Sequence, residues 1–171
     1  MPGLLRWRDG QRGDKQALCG FTCTEDYVKS FLTGWQRVHP KPWEYEVQSL
    51  IRDLKPPYSW PKCLLLGFDD DGLAAVAHYR EVDGPAQILL EALAVARRLR
   101  GVGGGYADDM ADELLSTVTD RALEKGVSEV LVEARVFHTN LASQDFCRRF
   151  GMRHTGNLRP EVQVWSYRLL V

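Results

Sequence analysis

The chain changes rhythm twice along its 171 residues. In the first sixty, apolar residues recur at helical spacing. Thr22 and Glu25 in "TCTE" have the spacing of a capping box, and the helix it opens carries Tyr27, Phe31, Leu32 and Trp35 on its inward face. "HPKP" interrupts, and "WEYEVQSLIRDL" predicts a second helix with Val47, Leu50, Ile51 and Leu54 apolar. After the rigid "KPPYSWP", the pattern turns to strands: "KCLLLGF" (62–68), a "DDDG" turn, "LAAVAHYREV" (73–82), "DG" at 83–84, and "PAQILLEALAV" (85–95). In the last of these, Leu90, Leu93 and Val95 are spaced by three and then two, which predicts a bulge at Glu91–Ala92. The helical rhythm returns in "YADDMADELLSTVTDRALEKG", with Met110, Leu114, Val118 and Ala122 on one face and a stop at Lys125–Gly126. A strand "VSEVLVEARVF", a short helix "NLASQDFCRRFG" with Ala142, Phe146 and Phe150 on its apolar face, and a strand "EVQVWSYRLLV" complete the chain. The expected order is α-α-β-β-β-α-β-α-β: an α/β fold, with a mixed, mostly antiparallel central sheet flanked by helices.

Composition narrows the function. The length suits one domain with a full core. A net charge of −1 gives no general attraction to nucleic acid or to an anionic membrane. No run approaches the ~18 apolar residues of a membrane span. The opening "MPGLLRWRDG" lacks the layout of a signal peptide, so a cytoplasmic protein is expected. Cys19, Cys23, Cys63 and Cys147 are scattered, and the C-x3-C pair has no second pair or nearby histidine to complete a zinc site. His39, His78, His138 and His154 show no metal-binding spacing. Small buried thiols in a reducing compartment, and no metal, are the expectation.

The densest signal is "RLRGVGGGYADDM", which puts four glycines into positions 101–105 directly before a helix. Glycine there lets an anion approach backbone N–H groups that a helix start leaves unpaired. A phosphate or pyrophosphate over residues 101–106 follows, with Arg97, Arg98 and Arg100 as compensating charges and Asp108 and Asp109 as competitors. A Walker loop requires a Gly-Lys-Ser/Thr ending that is absent. The dinucleotide fingerprint G-x-G-x-x-G fails at its third glycine and would follow a parallel unit rather than hairpins.

"RGVGGG", Arg100 to Gly105, resembles the R/Q-x-x-G-x-G/A signature of the GCN5-related N-acetyltransferases (GNAT), which holds the pyrophosphate of coenzyme A. The strand "LEALAV" ends five residues before Arg100, and "NLASQDFCRRFGM" is similar to the family's later helix segment. The likeness covers roughly 60–171. It implies one N-acetyltransferase domain over 1–171, with 17–59 as a helical substrate-side region and 60–171 as the acyl-CoA-binding core. Acetyl-CoA is then the acyl donor, without a metal. The acceptor is a primary amine of a small molecule or protein, and the assembly is compatible with a homodimer.

Carried onto this sequence, the resemblance implies that the pantetheine arm lies along Leu93, Ala94 and Val95. The pyrophosphate is held by Arg100, Gly101, Val102, Gly103, Gly104, Gly105 and Tyr106, and Asn140 and Ser143 stand beside the cofactor arm. Asn140 reads equally as a helix N-cap. Glu91, at the bulge, is where several relatives carry a base for the acceptor amine, or else a solvated charge. Glu133 and His138 are the fallback bases. Cys147 stands where the family carries a tyrosine that protonates the leaving thiolate. It is either that acid or a packed thiol. Trp35, Trp43, Tyr45, Tyr58 and Trp60 lie where the family builds its acceptor wall, or are core. Two other functions remain open: a non-catalytic acyl-CoA-binding or interaction module, and a toxin-like transferase acting on aminoacyl-tRNA, with Arg97, Arg98, Arg100, Arg148 and Arg149 as a basic patch.

Overall fold

A computed structural model describes residues 5–26, 28–29, 37–103 and 105–171. Its scaffold is a seven-stranded sheet in the order β1-β4-β5-β6-β7-β9-β8. The strands are β1 (Arg6–Asp9), β4 (Lys62–Asp69), β5 (Gly72–Glu81), β6 (Gln87–Val95), β7 (Glu129–Phe137), β8 (Arg153–Arg159) and β9 (Val162–Leu170). All neighbours are antiparallel except β6 and β7. The helices are α1 (Lys15–Cys19), α2 (Pro42–Asp53), α3 (Tyr106–Glu124) and α4 (Leu141–Arg149).

Strand alternation divides the core into two layers. On β4, Cys63 and Leu65 face one way and Leu64 and Leu66 the other. The first layer takes the α3 stripe Met110, Leu114, Val118 and Ala122, all buried, as the sequence spacing requires. The second takes Leu18 of α1 and Ile51 of α2. Helix α3 stops at Lys125, and Gly126 follows at φ +67°, the left-handed residue that closes a helix end.

Three expectations need correction. The expected order opens on a helix, but Arg6–Asp9 form strand β1, with Trp7 donating its indole N–H to Asp109 at 2.9 Å. No helix opens at Thr22. Its hydroxyl instead accepts from the Arg52 guanidinium at 3.1 Å, and Val28–Lys29 (β2) pairs antiparallel with Arg37–Val38 (β3). Tyr27, Phe31, Leu32 and Trp35 lie outside the described residues. The region 17–59 is therefore not simply helical. Finally, β8 has no counterpart in the expected order. Every residue of this edge strand is exposed, so it needs no apolar alternation and leaves no periodic trace. No described helix is long and apolar enough to cross a membrane.

Candidate active site

The parallel pairing of β6 with β7 covers only Gln87–Leu90 against Leu131–Ala134. Both strands run on, to Val95 and Phe137, without a shared register. A cleft of about 830 Å³ lies where they part, lined by both strands, α2, the glycine loop and α4. Leu93, Ala94 and Val95 pair with Ala77, Val76 and Ala75 on one side, and along them no pairing with β7 is registered on the other. The free edge of β6 is the feature that a peptide-like chain can extend.

The bulge expected from the sequence is present. His78 pairs with Ala92 and Tyr79 with Leu90, so Glu91 is the extra residue. One inserted residue reverses which side chains face which layer. Ile88 and Leu90 accordingly join the α3 layer, while Ala92 and Ala94 join the α1–α2 layer. Glu91 is not a solvated charge. Its carboxylate accepts from Arg80 Nε at 2.7 Å and lies 3.1 Å from His78 Nε2.

Beyond β6, Gly101, Gly103 and Gly105 have φ of +74°, +73° and +68°. The intervening Val102 is 64% exposed and outside the left-handed region. Left-handed glycines on either side of Val102 alternate the hand of the backbone there, a pattern that can turn successive N–H groups to one side and suits an anion, shortly before α3 begins at Tyr106. That requirement is why the segment is glycine. A Cβ on Gly101, Gly103 or Gly105 would meet nothing within 4 Å, so the constraint is conformational and not steric crowding. Gly104 lies outside the described residues.

The charges around the loop are mostly engaged. Arg98 forks onto Asp69 at 2.6 and 2.7 Å, and Arg100 Nη1 reaches both oxygens of Glu44 at 3.0 Å. The latter pair ties the loop to α2 over the cleft. Asp108 pairs with Arg149 at 2.6 Å, and Asp109 accepts from Trp7 and from the Leu5 N–H, so both carboxylates are turned to structural partners. Arg97 is exposed and makes no ion pair among the described residues.

Asn140 caps α4, its side-chain oxygen accepting from the Ser143 N–H at 3.1 Å, and both residues line the cleft. The side-chain amide N–H groups of Asn140 donate no hydrogen bond among the described residues. The buried stripe of α4 differs from expectation: Gln144 and Cys147 turn inward, and Ala142 is exposed. Cys147 is 2% exposed, and burial pushes its thiol up to about 11.

The fallback bases do not meet the cleft. Glu133 pairs loosely with Arg135 at 3.6 Å, and His138 faces the Glu161 carbonyl at 3.2 Å. Of the aromatics, Trp43 lines the cleft, while Trp60 lies under the Arg121 guanidinium and edge-on to Tyr79. Trp35 is outside the described residues. Tyr58 borders a second cleft of about 530 Å³, which shares Leu50, Leu90, Glu91 and Arg135 with the first and adds His78, Lys62 and Asp53. Glu91 thus stands at the junction of two clefts. Sequence reasoning missed His78 and Arg80. Their i, i+2 spacing on a strand hairpinned to the bulge was the available signal.

A parallel pair splayed at a bulge, followed by a glycine-rich loop that leads into a helix, is the core of this α/β fold. The sequence matches the acetyltransferase (GNAT) family over residues 24–152, and the chain belongs to that family. It is an acyltransferase. Solved structures support the fold at low identity. The GNAT domain of S. lividans PAT is 16% identical with a TM-score of 0.64, over 96% of this chain and 90% of that one. A GNAT-family acetyltransferase from Staphylococcus aureus Mu50 is 12% identical with a TM-score of 0.65, over 96% and 99%. The spermidine/spermine N-acetyltransferase from Vibrio cholerae is 13% identical with a TM-score of 0.61, over 98% and 94%. A comparison with curated proteins finds no significant match.

Proposed function

We propose that the chain is an acetyl-CoA-dependent N-acetyltransferase that modifies the primary amine of a small molecule. The observation that carries the reading is the junction: Glu91 lies where a cleft bordered by the glycine loop meets a second, adjoining cleft. The residues fit acetyl-CoA. The N–H groups around Gly101, Gly103 and Gly105 suit a pyrophosphate, and Arg97 adds positive charge nearby. The free edge of Leu93–Val95 suits the amide-bearing pantetheine arm, with the Asn140 amide N–H groups across the gap. When bound, acetyl-CoA supplies an activated acyl group on a thioester.

The second cleft, about 530 Å³, is within the range of small-molecule sites, which favours a small amine over a protein tail. Glu91 takes the proton that an ammonium must lose before it can act as a nucleophile. Cys147 packs. Burial holds the thiol above its ordinary range, at about 11, which makes it a poor proton donor to the departing thiolate. The thiolate therefore leaves as such and is protonated by solvent at the cleft mouth.

The test is free-thiol release from acetyl-CoA across small amines, peptides and aminoacyl-tRNA. Release with small amines is expected. Release only with peptides or aminoacyl-tRNA would move the acceptor to those classes. Tight acetyl-CoA binding without turnover on any panel member would make the chain a binding module.

A further inference from the structure

Two hydrogen-bond acceptors face the His78 ring. Nδ1 is 3.0 Å from the backbone carbonyl of Cys63, and Nε2 is 3.1 Å from Oε2 of Glu91. A carbonyl can only accept, so Nδ1 carries a proton. A neutral imidazole has one N–H, which leaves the Nε2 lone pair pointing at a carboxylate oxygen. That contact is repulsive unless a further proton lies between Nε2 and Oε2. The geometry therefore builds in a site for one shared proton.

The surroundings set where that proton rests. The His78 ring is buried, and desolvation draws its pKa below the ordinary value, against the pull of the Cys63 carbonyl and Glu91. Arg80, also on β5, donates to the other Glu91 oxygen at 2.7 Å. Lys62 on β4 opposes charge on His78. Arg135 on β7 and Asp53 on α2 line the same cleft, and the Tyr58 ring lies 5.4 Å from the imidazole. Burial acts against imidazolium, and the 3.1 Å Nε2–Oε2 contact engages both side chains, so the proton lies in a contact that the two partners share. Such a pair titrates as one unit.

We propose that His78 and Glu91 form a proton-sharing pair that serves as the base, with His78 a positioning residue acting through Glu91. This rests on the acetyltransferase reading. The deprotonated pair accepts one proton from the acceptor ammonium, held between Nε2 and Oε2. The neutral amine forms the C–N bond to the acetyl carbon as the C–S bond breaks; the surplus proton on nitrogen passes to water, and the departing thiolate takes a proton from water at the cleft mouth. The pair returns its proton to water.

Two measurements test this. Histidine-labelled NMR follows the His78 ring against pH, without any substrate, in the parent and in Glu91→Gln. The pair requires the His78 midpoint to fall by at least about one unit in the variant, because the shared proton loses its second holder. An unmoved midpoint overturns the pair. The second is the pH profile of kcat/KM with the best amine. His78→Gln keeps an N–H donor near Glu91 but cannot take up a proton. It should lower kcat/KM at least tenfold and remove the acid limb found at the parent's NMR midpoint, with coenzyme A affinity unchanged. Retention of that limb at its parental pH would overturn the proposal. Coupled NMR titrations in a protein that acetylates no amine would uphold the pair and sink the acetyltransferase reading instead.

Discussion

Replacing Cys147 separates packing from acid catalysis. The thiol is 2% exposed within the α3-side core, so Cys147→Ala removes a buried group about the size of a methylene and leaves a small void. The transfer loss of ~0.8 kcal/mol and a cavity contribution of similar size give about 1–2 kcal/mol of destabilisation. For a chain of this length that lowers Tm by roughly 2–8 °C. Chemistry should be spared. With burial holding the thiol at about 11, it is a poorer proton donor to a departing thiolate than an ordinary thiol acid. The assay is single-turnover acetyl transfer, which isolates the chemical step from product release. Parent, Cys147→Ala and Cys147→Ser should agree within about twofold, while both variants melt earlier. A tenfold or larger fall in single-turnover rate in both variants, at temperatures where they remain folded, would refute the reasoning and restore the acid role.

Glu91→Gln should lower turnover by ~10²-fold without weakening coenzyme A binding, since the carboxylate stands at the acceptor junction and apart from the glycine loop. Equal pH–rate profiles for variant and parent would reject Glu91 as a base. Asp14→Asn should destabilise the fold by about 1–3 kcal/mol near neutral pH, because the nearly buried carboxylate accepts from Arg8 at 2.6 and 2.7 Å and from the Gln11 N–H at 2.7 Å. Arg8 holds the Asp14 pKa below its ordinary value of 3.8. The contribution is therefore present above that value and disappears as pH falls through the folded pKa. Chemical denaturation at pH 7 and at acid pH should show the two proteins converging at the lower value.

How much of this is legible in the sequence depends on whether a residue's role is local. The glycine segment is readable because left-handed backbone at Gly101, Gly103 and Gly105 excludes most side chains. The bulge is readable because an inserted residue changes which positions are apolar, as Leu90 and Leu93 show. Helix α3 announces itself through an unbroken stripe. The edge strand β8 buries nothing and is invisible. The N-terminal region fails for another reason. The spacing in "TCTE" is a local signal, but Thr22 and Thr24 are used by Arg52 and Glu44 from α2, and that tertiary pairing overrides the cap. The partners of Glu91 were hidden for the same cause: His78 lies thirteen residues away and meets it only through strand register.

Calorimetric titration of acetyl-CoA into the parent, Gly103→Asn and Gly103→Asp tests the central claim most directly. Both substitutions meet the same left-handed backbone at φ +73° and open space around the Cβ, and both residue types tolerate that region, so strain is shared and the charge differs. If the loop holds the pyrophosphate, the aspartate should weaken binding at least tenfold, ~1.4 kcal/mol, relative to the asparagine protein. Equal affinity for the two folded variants would contradict the account.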